Sequence, residues 1–466
     1  MLSFAPTLNY AVPTEPEPMQ LAYSSDIPGT RCGPEDGPWP RPYTILEEPE
    51  MWRELAALAK PQSVVLDRKR GWRADAVNFQ PSHNTRTQDR YVVQQLDIHG
   101  RMWTLTGVFD GASYQSLASV PLLNVRHFVG HLGDVTAEHT AYHMPIIIRD
   151  FLREAMDDDP LQLLDPQFIS DLLSQAMTSF DDAIAGDVLD LFPGGLEGLA
   201  NISDEQIRRT INDIHSGGAN YKKARLCMYG TTALVALVDP DHKNLWVANL
   251  GDCAAVMVSQ TGSEEWKMER LTTDQNGDNQ DEVDRVRREH PGEPDCVVDY
   301  RVLGAIAPFR CIGDTPFKQP PEFTRRILYN LYPGFHNKSP WEEFLVLNHT
   351  PPYISNTPEI THRLLNTTPP SSPTSTPTPT SRFLILSSDG LSDLCAGPGQ
   401  ERVLGSWARN LRRNIGTDTA GKSGNMALRL LWQAIGGEDS DSVSRVLTLE
   451  MDTSWIDDTS IVVQSL

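Results

Sequence analysis

Nowhere does the 466-residue chain contain an apolar run of the roughly 18 residues that a membrane-spanning helix requires. Cysteine is scarce and scattered. Cys32, Cys227, Cys253, Cys296, Cys311 and Cys395 form no CxxC pair, so neither a disulfide framework nor a thiolate zinc site is expected. Positive charge is short as well, with 40 Lys and Arg against 62 Asp and Glu and a formal net charge of −22. That balance argues against wrapping a nucleic-acid backbone or docking on an anionic membrane through a basic patch. No Lys or Arg precedes Arg31, whereas Glu15, Glu17 and Asp26 do. The opening residues therefore have neither the order of a secretory signal nor the Arg-rich, acid-poor character of a mitochondrial presequence. These absences predict an intracellular protein with no nucleic-acid partner and no membrane span, some of whose excess acid holds cations.

What is present falls into two regions. Residues 1–60 are broken by Glu15-Pro16-Glu17-Pro18 and Pro38-Trp39-Pro40, which interrupt any long periodic element and predict a flexible arm, docked in part at best. From residue 61 to 466 the punctuation becomes regular, as in one large domain. Apolar runs of strand length recur at 91–93, 103–109, 232–238, 245–249, 254–258, 344–347, 383–386 and 460–463. Helical spacing marks 144–156, 168–184 and the heavily charged 280–289. Strands in runs with helices outside them predict an α+β fold. Residues 367–380 are a Ser/Thr/Pro tract that cannot bury a core and reads as a surface loop.

Two of the apolar runs end alike, in Val108-Phe109-Asp110-Gly111 and in Leu386-Ser387-Ser388-Asp389-Gly390. One Asp-Gly after a strand is ordinarily a hairpin turn. Here a third strand ends in Gly251-Asp252, and the last strand begins after Asp457-Asp458. Carboxylates gathered at one edge of a core repel one another unless cations compensate, and hard oxygen ligands suit Mg²⁺ or Mn²⁺. Two such ions can activate a water and hold a phosphoryl group for in-line attack.

In order along residues 84–466, the chain resembles the metal-dependent protein phosphatases of type 2C. The resemblance is carried by Thr87-Gln88-Asp89-Arg90, Val108 to Gly111, Gly230-Thr231-Thr232-Ala233, Leu245 to Asp252, Leu271 to Asp274, Arg301 to Gly304, Pro308 to Asp314, Ser387 to Asp393, and Asp457 to Val463. Arg287 to Pro291, Phe317-Lys318, Pro351-Pro352-Tyr353 and Pro358 to Thr361 are similar to the pyruvate dehydrogenase phosphatase branch. The resemblance implies a four-layer α-β-β-α sandwich of two antiparallel sheets flanked by helices. It implies a protein-serine/threonine phosphatase with two Mg²⁺ or Mn²⁺ ions. Asp110 would bridge both ions, helped by the carbonyl of the following glycine, while Asp389 and Asp457 complete the other metal's ligands. Asp89, Asp252 and Asp393 fit positions that orient a metal-bound water or hold a weak third ion. Gln88 stands where the family often has Glu, which removes a charge beside one ion. Arg73 is a candidate phosphate-binding arginine. The branch implies a phosphoserine on the E1 component of a 2-oxo-acid dehydrogenase complex and a mitochondrial matrix location, with the cytosol as the alternative because of the acidic opening.

One departure bears on catalysis. After its Asp-Gly the family carries a histidine, a candidate general acid for the departing seryl oxygen. Here Ala112 follows Asp110-Gly111, and the expected continuation, Gly130-His131-Leu132-Gly133, comes only after a further stretch. Removing the 19 residues 111–129 restores the motif with Gly130 beside Asp110 and His131 as the acid. That stretch holds one Arg and no acidic residue, foreign to its surroundings, and reads as an insertion or as translated intron sequence. Two readings follow: an active phosphatase, or a catalytically inactive relative that binds phosphoproteins or regulates a partner. His139 and His143, four apart, read as two helix histidines in the absence of a neighbouring thiolate or HExxH pattern.

Overall fold

The computed structural model describes residues 20–82, 85–111, 134–261, 265–335, 337–365, 381–413, 424–451 and 454–466. The strands of its two large sheets are β1 (Gln62–Asp67), β2 (Trp72–Phe79), β3 (Arg90–Ile98), β4 (Arg101–Phe109), β5 (Ala233–Val238), β6 (Asn244–Leu250), β7 (Ala254–Gln260), β8 (Trp266–Arg270), β9 (Glu359–Leu364), β10 (Arg382–Ser387) and β11 (Thr459–Ser465). They form a six-stranded sheet in the order β8-β7-β10-β11-β2-β1 and a five-stranded sheet in the order β9-β6-β5-β4-β3. Every pairing within the two sheets is antiparallel.

The central strands read as continuous apolar runs because both of their faces are buried, and their period of two sorts the side chains between layers. In β5, Ala233, Val235 and Leu237 join the cluster under one helical layer. Leu234, Ala236 and Val238 turn the other way, into the seam between the sheets. In β11, Val462 enters the same seam, whereas Ile461 and Val463 face the second helical layer. The helices α1 (Glu48–Ala59), α2 (Asp134–Asp158), α3 (Pro166–Leu189), α4 (Asp389–Leu394), α5 (Gln400–Arg413), α6 (Met426–Ala434) and α7 (Ser440–Thr448) supply the outer layers. α2 and α3 cover the five-stranded sheet, with Met144, Ile148, Leu152, Leu173 and Met177 in its cluster. α1, α6 and α7 cover the six-stranded sheet. The expected α-β-β-α sandwich is the observed one.

Three local expectations change. Residues 20–60 are not a free arm from Gln20 onward: Gln20–Ala22 pairs with Arg41–Tyr43, and Ala22, Ile27, Met51, Trp52, Leu55 and Ala59 are buried in the cluster under the six-stranded sheet. The prolines break periodicity without preventing docking, because Met51, Leu55 and Ala59 repeat at helical spacing. Residues 344–347 are not a strand. Ser339–Leu345 is a helix with proline at its first turn, and it places Trp341 and Phe344 three residues apart on its buried side. The run at 103–109 is longer than expected, since β4 begins at the exposed Arg101.

A buried ion pair ties α3 to the loop after Ile312. The Lys318 ammonium lies 2.8 Å from both carboxylate oxygens of Asp181, and Asp181 also accepts the Gly313 N–H at 2.6 Å. Burial alone would lower the amine's pKa, but Asp181 and Cys311 carry it above its ordinary value. Lys318→Met leaves Asp181 buried without its counter-ion and is expected to cost about 3–5 kcal/mol in urea unfolding. Adding Asp181→Leu is expected to recover much of that loss.

Candidate active site

Every carboxylate singled out at a strand end lies at the same edge of the sandwich. Asp110 leaves β4 beside Asp89, which precedes β3, because Arg90 pairs with Phe109. Asp389 leaves β10 beside the start of β11, since Ser387 pairs with Ile461. Asp252 sits in the turn from β6 to β7, and Ala254 pairs with Ser387. The first two come from the five-stranded sheet and the next from the six-stranded sheet, so the cluster spans the mouth of the seam.

Backbone contacts fix Asp110. Its carbonyl accepts the Thr232 N–H at 3.0 Å and the Thr231 hydroxyl at 2.7 Å. Gly111 bridges to Thr231, and a Cβ there would stand 2.8 Å from the Gln88 carbonyl oxygen, so the position after Asp110 needs glycine. Gly390 is confined likewise, with a Cβ falling 2.2 Å from the Asp458 carbonyl oxygen. Asp89 accepts the Ser460 N–H at 3.2 Å. Asp252 accepts from the Asn276 amide at 3.2 Å, a partner that the motif reading missed.

The cluster carries more charge than its burial tolerates. Burial, then Asp89, Asp389 and Asp252, push Asp110 well above the usual carboxylate range. Burial and Asp458 raise Asp89 to about 7, and burial and Asp389 raise Asp252 to about 7. Burial and Asp389 also raise Asp393, against the pull of Arg31. One oxygen each of Asp89 and Asp389 is buried with no hydrogen-bond partner. Oxygen donors with unmet lone pairs and uncompensated charge suit a hard divalent cation. Among the described residues, however, no three acidic, His or Cys side chains close around a common point.

Asp457 and Asp458 divide their work. Asp458 turns inward, accepting the Gln88 N–H at 2.6 Å and the Gln80 amide at 2.8 Å. Asp457 instead faces the Arg31 guanidinium, which also stands 3.7 Å from Asp389 and 3.8 Å from Asp393. Sequence reasoning had no motif for Arg31; its sole signal was being the first basic residue of the chain.

Arg73 is not brought to this edge. It lies near the start of β2, opposite Ser465, bound to Asp75 at 3.1 Å and to the Gly424 carbonyl, whereas the carboxylates sit past the end of that strand at Phe79. The guanidinium is thus committed to neutralising a buried carboxylate and is removed from the phosphate-binding role. Gly130, His131 and the stretch 112–129 lie outside the described residues. His139 and His143 sit on α2 with ring centroids 4.2 Å apart, and His139 stacks on Phe180. Burial followed by the His143 charge pulls His139 down to about 4, as for a packed neutral ring.

The family model for protein phosphatase 2C matches residues 190–397. Human mitochondrial pyruvate dehydrogenase (acetyl-transferring) phosphatase 2 is 28% identical over 319 residues, covering 67% of this chain and 51% of that protein. The human mitochondrial phosphatase 1 is 28% identical over 277 residues, covering 52% and 49%. A protein phosphatase 2C homolog of Schizosaccharomyces pombe is 30% identical over 256 residues, covering 50% and 52%. The chain thus spans about half the length of the curated relatives it matches.

Proposed function

We propose that this chain, whose residues 190–397 match the protein phosphatase 2C model, is a member of that family and hydrolyses phosphoserine and phosphothreonine in proteins with the help of divalent cations. The observation that carries the reading is the cluster of carboxylates Asp89, Asp110, Asp252 and Asp389, which come from both sheets; burial and the neighbouring carboxylates raise the pKa of the first three. Asp110, Asp389 and Asp457 are the side chains that would hold two Mg²⁺ or Mn²⁺ ions, with the Gly111 carbonyl beside the first and Asp252, Asp89 and Asp393 around them. Bound ions would supply water activation and neutralise the phosphoryl charge.

The chain's own part is to hold these oxygens in place. Thr231 and Thr232 pin the Asp110 backbone. Asn276 orients Asp252, and the Ser460 N–H orients Asp89. In the net reaction water adds to phosphorus, the phosphorus–oxygen ester bond breaks, and the seryl or threonyl oxygen leaves with a proton. His131 is the residue we assign to give that proton.

The likeness to proteins named pyruvate dehydrogenase phosphatase supports the E1 component of a 2-oxo-acid dehydrogenase complex as substrate and the mitochondrial matrix as location. Phosphate release from a phosphoserine peptide and from phosphorylated E1, with Mn²⁺ and with EDTA, tests both levels. Release that needs Mn²⁺ is expected, faster on E1. Release undiminished by EDTA removes the cation reading, and equal rates on unrelated phosphoproteins remove the E1 assignment.

A further inference from the structure

The segment that precedes α1 carries a positive charge into the acidic edge. Gly29, at φ +66°, passes so close to α4 that a Cβ would stand 3.0 Å from the Leu394 nitrogen. Thr30 forms an antiparallel bridge with Ile456, and the Arg31 N–H donates to the Trp455 carbonyl at 2.8 Å. The Thr30 hydroxyl accepts the Cys32 N–H at 3.1 Å and closes the turn. Ala22 and Ile27 bury the preceding residues in the core under the six-stranded sheet. The Arg31 backbone is therefore fixed two residues from Asp457. Its side chain reaches the carboxylates of Asp457, Asp389 and Asp393 together.

Two of those three carboxylates are ones we assign as cation ligands, so a guanidinium and a divalent ion compete for the same oxygens. Like charges about 4 Å apart repel strongly at the effective dielectric of a protein surface. The side chain is 44% exposed and can swing toward water while its backbone stays anchored. We infer that Arg31 is the built-in counter-charge of the cation-free site, which an entering divalent cation must displace. Among the described residues, that the acidic side chains do not close around a common point is in keeping with a guanidinium held among them. The arm thereby sets the cation concentration at which the site fills. This inference rests on the cation reading given above.

Mn²⁺ binding, followed through the electron paramagnetic resonance signal of the free ion, tests it on the full chain without any turnover. Arg31→Gln is expected to bind Mn²⁺ up to about fivefold more tightly than the parent, the scale of one partly exposed charge pair. Arg31→Lys is expected to stay near the parent value. Arg31→Gln is also expected to lower the melting temperature in EDTA and to leave it unchanged in saturating Mn²⁺. A merely structural arginine would lower it in both. Equal or weaker Mn²⁺ binding by Arg31→Gln overturns the role of Arg31 and leaves the cation reading standing. Absence of Mn²⁺ binding by parent and variants alike overturns both.

Discussion

Asp110→Asn is expected to lower Mn²⁺-dependent phosphate release by about 10³-fold or more while making the cation-free protein harder to unfold. The loss follows from the position of Asp110, whose backbone is held by Thr231 and Thr232 and whose carboxylate lies among Asp89, Asp252 and Asp389. Cations at such a site supply several kcal/mol of transition-state charge stabilisation, and each 1.36 kcal/mol is about tenfold in rate. The gain in stability has the same origin. Without cations, burial and the neighbouring carboxylates penalise the ionised Asp110 that the unfolded chain holds freely in water, and an amide of the same shape carries no such penalty. An increase of about 1–2 kcal/mol is expected, the range of other single stabilising substitutions whose cost falls on function. Thermal unfolding in EDTA and kinetics in Mn²⁺, measured on one preparation, check both halves. A variant that turns over like the parent would remove Asp110 from the cation site. One that loses activity and stability together would make its role structural.

The same physics explains what the sequence disclosed of this site and what it withheld. The Asp-Gly pairs at 110–111 and 389–390 were legible because both constraints are local. A carboxylate ends each buried strand, and the next residue has no room for a Cβ, as the Gln88 and Asp458 carbonyls show. The sandwich was legible for a related reason: runs such as Ala233 to Val238 are apolar on both faces, which fits strands covered on each side. Arg73 misled because a guanidinium's partner is set by register. The pairing of β2 with β11 carries its residue to the far end of the sheet, beside Asp75. Arg31 was invisible for the converse reason, since nothing near it in the chain forecasts that Thr30 will bridge to Ile456. The strand expected at 344–347 failed because a short apolar run fits a buried helical turn equally well.

Deleting residues 111–129 is expected to raise Mn²⁺-dependent phosphopeptide hydrolysis at least about 10²-fold over the full chain, the lower end of what a general acid contributes. The two ends of the gap are close in the fold. Asp134, which opens α2, lies with its carboxylate 3.2 Å from the Arg90 guanidinium, and Arg90 pairs with Phe109, the residue before Asp110. Thr136 donates to the Tyr229 carbonyl at 3.1 Å, two residues from Thr231, the bridge partner of Gly111. In the shortened chain residues 130–133 would join Asp110 to Asp134, and five Cα-to-Cα steps reach about 17 Å. Gly130 would take the place of Gly111, where the Gln88 carbonyl demands a glycine. His131 would then stand next in line, within a side chain's reach of the acidic edge. Lengthening a loop costs only about 0.6 kcal/mol per doubling, so the full chain can keep the fold and still hold its acid away from the phosphoryl group. His131→Ala in the shortened chain is expected to return the rate toward that of the full chain. Equal rates with and without residues 111–129 would mean that the inserted stretch leaves the acid in place. A shortened chain that folds and binds Mn²⁺ but gains no activity would take the general-acid role away from His131.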